Sequence, residues 1–371
     1  MKSQELWTNK LLEGSGIKIN GNNSWDPKIK NVDFYNRVHA QGSLGLGESY
    51  MDGLWDCKNL DEFFYRLLAA EIPERIGFSL PLFWVYFWAT IMNLQSKGRA
   101  FLVGEKHYDL DNNLFSAMLG KTMAYSCGYW PKAKDLDSAQ IAKFDLICKK
   151  LNLQAGDKIL DIGCGWGGFL KYAAEKYGVS GVGLTVSKEQ AEMAKQKCKG
   201  LPIEIKVQDY RQLKEKFDHI ISIGMFEHVG LKNYKTYFEV AKNCLKENGL
   251  FLLHTIGSLK SGHNTDPWLN KYIFPNGALP SLKQIAENVE GLFVIEDVHN
   301  FGPDYDKTLM QWHKNFNAAW LQFKQKYDEQ FFRMWNYYLL SCAGAFRSRQ
   351  IQLWQIVLSP NGVPGGYKPV R

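Results

Sequence analysis

The chain has 371 residues, 45% of them hydrophobic and 22% charged, which excludes a disordered tail, a collagen-like repeat and a disulfide scaffold and leaves room for two domains. The residues up to 106 are neutral as a group and the net charge of +7 is carried after them; so mild a balance suits an anionic lipid surface or small anionic ligands and gives no footing for nucleic acid. The seven cysteines are odd in number and lack CxxC spacing, and the opening MKSQELWTNK has no apolar signal-peptide core. The expectation is a reducing, cytoplasmic compartment with free thiols and no metal site.

Residues 1–78 mix short apolar pieces with turn signals such as IKINGNNSWDP and GSLGLGES and predict a small α+β domain with a helix near Leu60–Ala70. Residues 79–106 form an aromatic connecting segment. Its apolar stretch, Leu80–Leu94, is about 15 residues long, short of the ~18 of a spanning helix, and Pro81, Thr90 and Asn93 interrupt it. Phe83, Trp84, Phe87 and Trp88 are concentrated there, with Lys97 and Arg99 after them. Two roles stand level for it: contact with the headgroup layer of a bilayer, or burial between domains or between copies of the chain.

Over residues 107–371 strand-like runs alternate with helical ones. Ile159–Ile162 reads as a buried strand, followed by a glycine turn and a helix to about Tyr177. Strand VSGVGLTV, helix KEQAEMAKQKCKG and strands IEIKVQD and HIISIG come next. Helix NYKTYFEVAKNCLKENG is expected to stop at Asn248–Gly249, with strand LFLLHTI directly after it. A further strand near Phe293–Asp297 precedes a helical, aromatic region over Thr308–Arg349. The pattern predicts an α/β fold with a doubly wound sheet, in which ligands bind outside the carboxyl ends of the strands.

One such end carries Asp161, Gly163, Gly165 and Gly167 in the order DIGCGWG. Glycines there let a ligand approach the backbone, and the spacing is GxGxG rather than the GxGxxG of dinucleotide folds. An acid just before the glycines suits a cationic or zwitterionic ligand, which favours S-adenosylmethionine over NAD; a tight turn without a ligand reads equally well from the glycines alone. The next strand ends without the expected ribose-binding acid, and Thr185, Ser187 and Gln190 are the substitutes. Ser187 also fits a helix N-cap, with Gln190 completing a capping box. The third strand ends at Asp209, Tyr210 and Arg211, an acid and an aromatic able to hold adenine, with Asp209 equally suited to capping a helix.

Nine motifs in one order, HYDLDNNLF (107–115), YSCGYW (125–130), LDIGCGWGG (160–168), GLTVSKEQ (183–190), GMFEHVG (224–230), LLHTIGS (252–258), KYIFPNGALPS (271–281), HNFGPDYDKTL (299–309) and CAGAFR (342–347), resemble the cyclopropane-fatty-acyl-phospholipid synthase and mycolic acid synthase family of S-adenosylmethionine-dependent methyltransferases. GSLGLGESYMDGLW (42–55) extends the resemblance to nearly the whole chain. The resemblance implies a class I methyltransferase-like sheet with a small α+β amino-terminal domain. It implies methylene transfer from S-adenosylmethionine to the cis double bond of a phospholipid acyl chain, closing a cyclopropane ring. Two alternatives stay open: a methyltransferase leaving a methyl or methylene branch, and an inactive lipid-binding relative.

By the same resemblance the catalytic set is Cys127, Glu227, His254, Tyr305 and Cys342. A bound bicarbonate would be the base, held by Cys127, Glu227, His254, Tyr305 and the backbone of Ile256, and Tyr125 and Ser126 join the cofactor set. Each also has a plainer role, since a lone strand-end histidine is more often a structural hydrogen-bonder, a cysteine among aromatics more often a small buried hydrophobe, and Tyr305 can simply pack. His228 is read as structural. The expected partners are a phospholipid bilayer in peripheral contact, at the inner face of the membrane, and no nucleic acid; a homodimer is left open.

Overall fold

The structure, a computed structural model, describes residues 2–72, 112–262 and 266–371. The expectations attached to Leu80–Leu94, and most of the HYDLDNNLF motif, lie outside those residues. Among them, the chain divides into two compact units that interleave in sequence: one gathers 2–72, 266–275 and 305–351, the other 112–262, 276–304 and 352–371. Residues 266–275 and 305–351, read above as part of the 107–371 segment, thus pack with the amino-terminal residues. No helix among the described residues is long and apolar enough to cross a membrane.

The first unit is mainly helical. The expected helix forms at Leu60–Ala69, but the strand content among the described residues is a short antiparallel pair, β1 (Lys28–Ile29) and β2 (Trp55–Asp56). Trp55 is fully buried and meets the rings of Phe34, Tyr50 and Phe63. The long helix Glu329–Arg347 lies against Leu60–Ala69 at Gly344, where a Cβ would stand 2.6 Å from Phe64 Cβ and 2.8 Å from the Asp61 carbonyl oxygen. The glycine of CAGAFR therefore sets the closeness of the two helices. Arg347 then reaches Asp61 at 2.8 Å and forks onto Asp306 at 3.0 Å. Gly344→Val should lower stability by about 3 kcal/mol, read as a fall in the urea midpoint, because the neighbours are backbone and a Cβ that cannot swing aside.

Among the described residues the second unit is built on seven strands: β3 (Lys158–Ile162), β4 (Ser180–Thr185), β5 (Ile203–Val207), β6 (Phe217–Ile223), β7 (Leu245–Ser258), β8 (Val294–Asn300) and β9 (Ile351–Ser359). Their order is β5-β4-β3-β6-β7-β9-β8. The strands from β5 to β7 pair in parallel, and β8 and β9 are antiparallel. Alternation sends successive residues to opposite faces. Leu160, Ile162, Ile220, Phe251 and Ile356 enter one core with Tyr237 and Phe238; Ile159, Ile221, Leu252 and Val357 enter the other with Phe144, Phe169 and Leu170. Burial on both faces is why these strands read as continuous apolar runs.

Two expectations need correction. The helix after β6 runs from Tyr234 to Cys244, and β7 begins at Leu245. Gly249 lies inside that strand, where any Cβ would strike the Asp218 carbonyl, so it serves a close backbone approach rather than a helix end. The sequence reading also stopped at a helical region before β9, which inserts between β7 and β8.

Candidate active site

The residues from β3 to β7 set the site at the carboxyl edge of the sheet. Gly163, Gly165 and Gly167 all adopt left-handed φ, +89°, +52° and +77°. The turn is pinned to the next strand, since the N–H groups of Gly163 and Cys164 donate to the Leu184 carbonyl at 3.0 and 2.8 Å. Two of the glycines face protein: a Cβ at Gly163 would lie 2.7 Å from Met225, and one at Gly167 3.1 Å from Ala194. Among the described residues, a Cβ at Gly165 would meet nothing within 4 Å. Gly165 is therefore the point where the backbone lies open to a ligand.

Asp161 is 2% exposed, and its Oδ1 has no partner among the described residues. Burial pushes its carboxyl up to about 7, against the pull of Lys143. Trp166 donates from Nε1 to Asn112 Oδ1 at 3.1 Å, and Phe115 touches both Trp166 and Tyr125 edge to face or tilted. Tyr125 thus belongs to an aromatic group gathered on the glycine turn.

At the end of β4, Ser187 caps the following helix by accepting from the Gln190 N–H at 3.2 Å. The reciprocal half of a capping box is absent, because the Gln190 side chain accepts from Thr185 Oγ1 at 3.0 Å instead. At the end of β5, Asp209 accepts from the Arg211 N–H at 2.9 Å and from its guanidinium at 2.8 and 2.6 Å. Tyr210 is buried against Tyr237. Asp209 therefore caps a turn, as one of its two readings allowed.

β6 and β7 bring Glu227 and His254 together through register. Ile223 pairs with His254, and the Gly224 N–H donates to the His254 carbonyl at 2.9 Å. The short helical turn Phe226–His228 then returns Glu227 over β7, where its Oε1 accepts from the Ile256 N–H at 2.6 Å. Its Oε2 is buried with no hydrogen-bond partner among the described residues, and burial raises the carboxyl to about 7. The backbone of Ile256, assigned above to bicarbonate, gives its N–H to Glu227 here.

His254 is 1% exposed, and its basicity is pulled well down by burial and by Lys143 and Lys150. Its Nδ1 lies 3.3 Å from Gln355 Nε2. With that amide as the donor, the imidazole proton sits on Nε2, which has no partner among the described residues. Burial holds His228 at about 4, a neutral and structural histidine.

Cys127 is fully buried and donates from Sγ to the Gly128 carbonyl at 3.1 Å. Ser126 beside it packs 3.9 Å from where a Gly224 Cβ would be. Cys127, Glu227, His254 and Ile256 thus fall around one corner of the second unit. Tyr305 and Cys342 belong to the first unit: Tyr305 stacks on Phe346 at 4.5 Å, and burial pushes the Cys342 thiol up to about 12. A thiol held that high is protonated at neutral pH and no nucleophile.

Sequence reading missed three residues. Gln140 and Lys143 lie on the buried side of helix Leu136–Lys150, where Gln140 Nε2 donates to the Ser126 carbonyl at 2.7 Å and Lys143 Nζ to Ser126 Oγ at 2.7 Å. Gln355 sits in the unanticipated β9. Lys150 is buried on the same helix as well, and no local sequence signal separates these polar residues from ordinary solvated ones.

The model of the family described as mycolic acid cyclopropane synthetase matches residues 95–356. A cyclopropane-fatty-acyl-phospholipid synthase of Escherichia coli strain K12 is 55% identical over 363 residues, covering 98% of this chain and 95% of that one. Among solved structures, the cyclopropane synthase MmaA2 from Mycobacterium tuberculosis superposes with a TM-score of 0.66 at 32% identity, over 70% of this chain and 97% of that one. The mycolic acid cyclopropane synthase CmaA1, complexed with SAH and CTAB, gives 0.65 at 35% identity over the same shares. With a matching family model over most of its length and a relative of this identity along nearly all of it, the chain belongs to the mycolic acid cyclopropane synthetase family.

Proposed function

We propose that this enzyme transfers a methylene group from S-adenosylmethionine to the cis double bond of an unsaturated phospholipid acyl chain, forming a cyclopropane ring. The alkene π-electrons displace S-adenosylhomocysteine from the methyl carbon. The resulting carbocation loses one proton from the added methyl, and the C–H electron pair closes the ring. An alkene carries no proton to remove first, so the protein must align it with the methyl, exclude water from the cation and supply a base afterwards.

The observation that carries this reading is the pair of orphaned buried atoms, Glu227 Oε2 and His254 Nε2, at adjacent strand ends beside the open glycine turn. One accepts and the other donates, which is the donor set that a hydrogen carbonate ion needs. Bicarbonate, when bound, supplies the oxygen base that takes the methyl proton. Glu227, held by the Ile256 N–H, would accept its O–H; His254 would donate from Nε2 to an anionic oxygen; Cys127 would line the same corner. Burial disfavours the charged imidazole, and the Gln355 amide at Nδ1 leaves the ring proton on Nε2.

The test uses the full chain, S-adenosylmethionine and liposomes of unsaturated phospholipid. High-field ring protons in the NMR spectrum of the product are the expected result. A methyl or methylene branch would give the reaction to the alternative methyltransferase, and no consumption of S-adenosylmethionine would leave a lipid-binding relative. Removal of CO₂ should slow turnover and added bicarbonate restore it. Contact with the bilayer is part of the proposal: binding to anionic vesicles should weaken with added salt.

A further inference from the structure

Lysine is almost never fully buried unless paired, yet Lys143 is 0% exposed. Its Nζ donates to Ser126 Oγ at 2.7 Å and lies over the Phe144 ring at 4.7 Å. Among the described residues no carboxylate stands within ion-pair distance of it. Asp161 acts on it only through space, and the Asp161 Oδ1 is itself without a partner among those residues. Two opposite buried charges are thus kept apart, each behind an unfilled polar position.

The Ser126 position can be oriented from chemistry alone. A hydroxyl that accepts from an ammonium must turn its own proton away from it, and that proton has no acceptor among the described residues. Gln140 fixes the segment by donating to the Ser126 carbonyl at 2.7 Å. The result is a buried O–H donor held by the Lys143 amine; burial pulls that amine down to about 7, and an anion bound at the hydroxyl would favour its charged form, which strengthens the hydrogen bond. The methionine part of S-adenosylmethionine is a zwitterion whose one anionic group is its carboxylate. Asp161 faces the need of the cationic end; Lys143 and Ser126 face that of the anionic end.

We propose that Lys143 is a positioning residue for the methyl donor: through Ser126 it recognises the carboxylate of S-adenosylmethionine and so fixes where the sulfonium methyl lies. The inference rests on the S-adenosylmethionine dependence argued above. It identifies a residue that contacts neither the alkene nor the base and acts on the donor through the serine hydroxyl.

The experiment is a comparison of two ligands by calorimetry, S-adenosylmethionine and its decarboxylated form, on the full chain and on Lys143→Met, a swap of similar length. Lys143→Met should bind S-adenosylmethionine roughly 10- to 100-fold more weakly, as expected for loss of a charge-assisted hydrogen bond. Its affinity for the decarboxylated ligand should be little changed. Ser126→Ala should show the same selectivity, and the double variant should lose little beyond either single one; Ser126→Ala carries the test if Lys143→Met does not fold. Equal losses for both ligands would mean a merely structural lysine and overturn the proposal. So would an unchanged S-adenosylmethionine affinity with a shifted bicarbonate requirement, which would assign the cation to the base. If the unaltered chain binds neither ligand, the dependence itself fails, a result distinct from a loss of selectivity.

Discussion

Glu227→Gln should lower turnover by roughly 10²- to 10⁴-fold, the usual cost of disabling acid–base machinery, while leaving affinity for S-adenosylmethionine within about tenfold. Glutamine keeps the shape and can still accept from the Ile256 N–H through its carbonyl. What it loses is the carboxylate that would accept the O–H of bicarbonate. The sign of the pH dependence follows. Burial raises Glu227 to about 7, so lowering pH through 7 protonates it and should slow the unaltered enzyme at a fixed bicarbonate concentration. Glu227→Gln should show no such step. The same shift argues that the variant folds. A buried acid with a raised pKa contributes most to stability when protonated, and that contribution is lost as pH rises from the ordinary carboxyl range through about 7. A permanently neutral amide avoids the loss, so the thermal midpoint above pH 7 should be no lower than that of the unaltered chain. A turnover within threefold of the unaltered enzyme would remove Glu227 from the base assignment.

Much of the second unit was legible because its strands are buried on both faces and separated by capped helices; the apolar runs and turn residues at Ile159–Ile162 and Ser187 carry that information locally. β9 was not, although IQLWQIVLS is strongly apolar, because it follows the long helix Glu329–Arg347 and its place between β7 and β8 is a non-local pairing. Gly249 misled for a related reason: Asn-Gly is a helix-ending signal, and only the Asp218 carbonyl across the sheet explains it. The interleaving of the two units is equally non-local. In the site, the glycine turn and the strand-end Glu227 and His254 could be placed from the βαβ pattern, but Cys127, Tyr305 and Cys342 entered by resemblance alone. Lys143 was invisible, since a lysine in a helix is ordinarily a solvated one. Only burial against Ser126 shows otherwise.

Gly165→Val should abolish S-adenosylmethionine binding while the chain remains folded. Three glycines share the turn, and their surroundings separate them. At Gly163 a side chain would run into Met225 at 2.7 Å, and at Gly167 it would press on Ala194 at 3.1 Å. Substitutions there disturb the turn itself, so a loss of binding would say little about the ligand. At Gly165 the space is open, and the cost within the protein is the left-handed φ of +52°, of order 1–2 kcal/mol for a residue with a Cβ and more when it is β-branched. Gly200 offers the comparison: its φ is +83°, it also has nothing within 4 Å, and it lies at the turn following helix Lys188–Lys197. Gly200→Val should therefore lower the thermal midpoint by a similar amount and leave binding intact. If both variants bind S-adenosylmethionine as the unaltered chain does, the opening at Gly165 is not the methionine subsite, and the glycines serve only to turn the backbone from β3 into its helix. If Gly165→Val alone fails to bind, at a midpoint matched by Gly200→Val, the lost affinity belongs to the space that the side chain fills and not to the backbone that carries it.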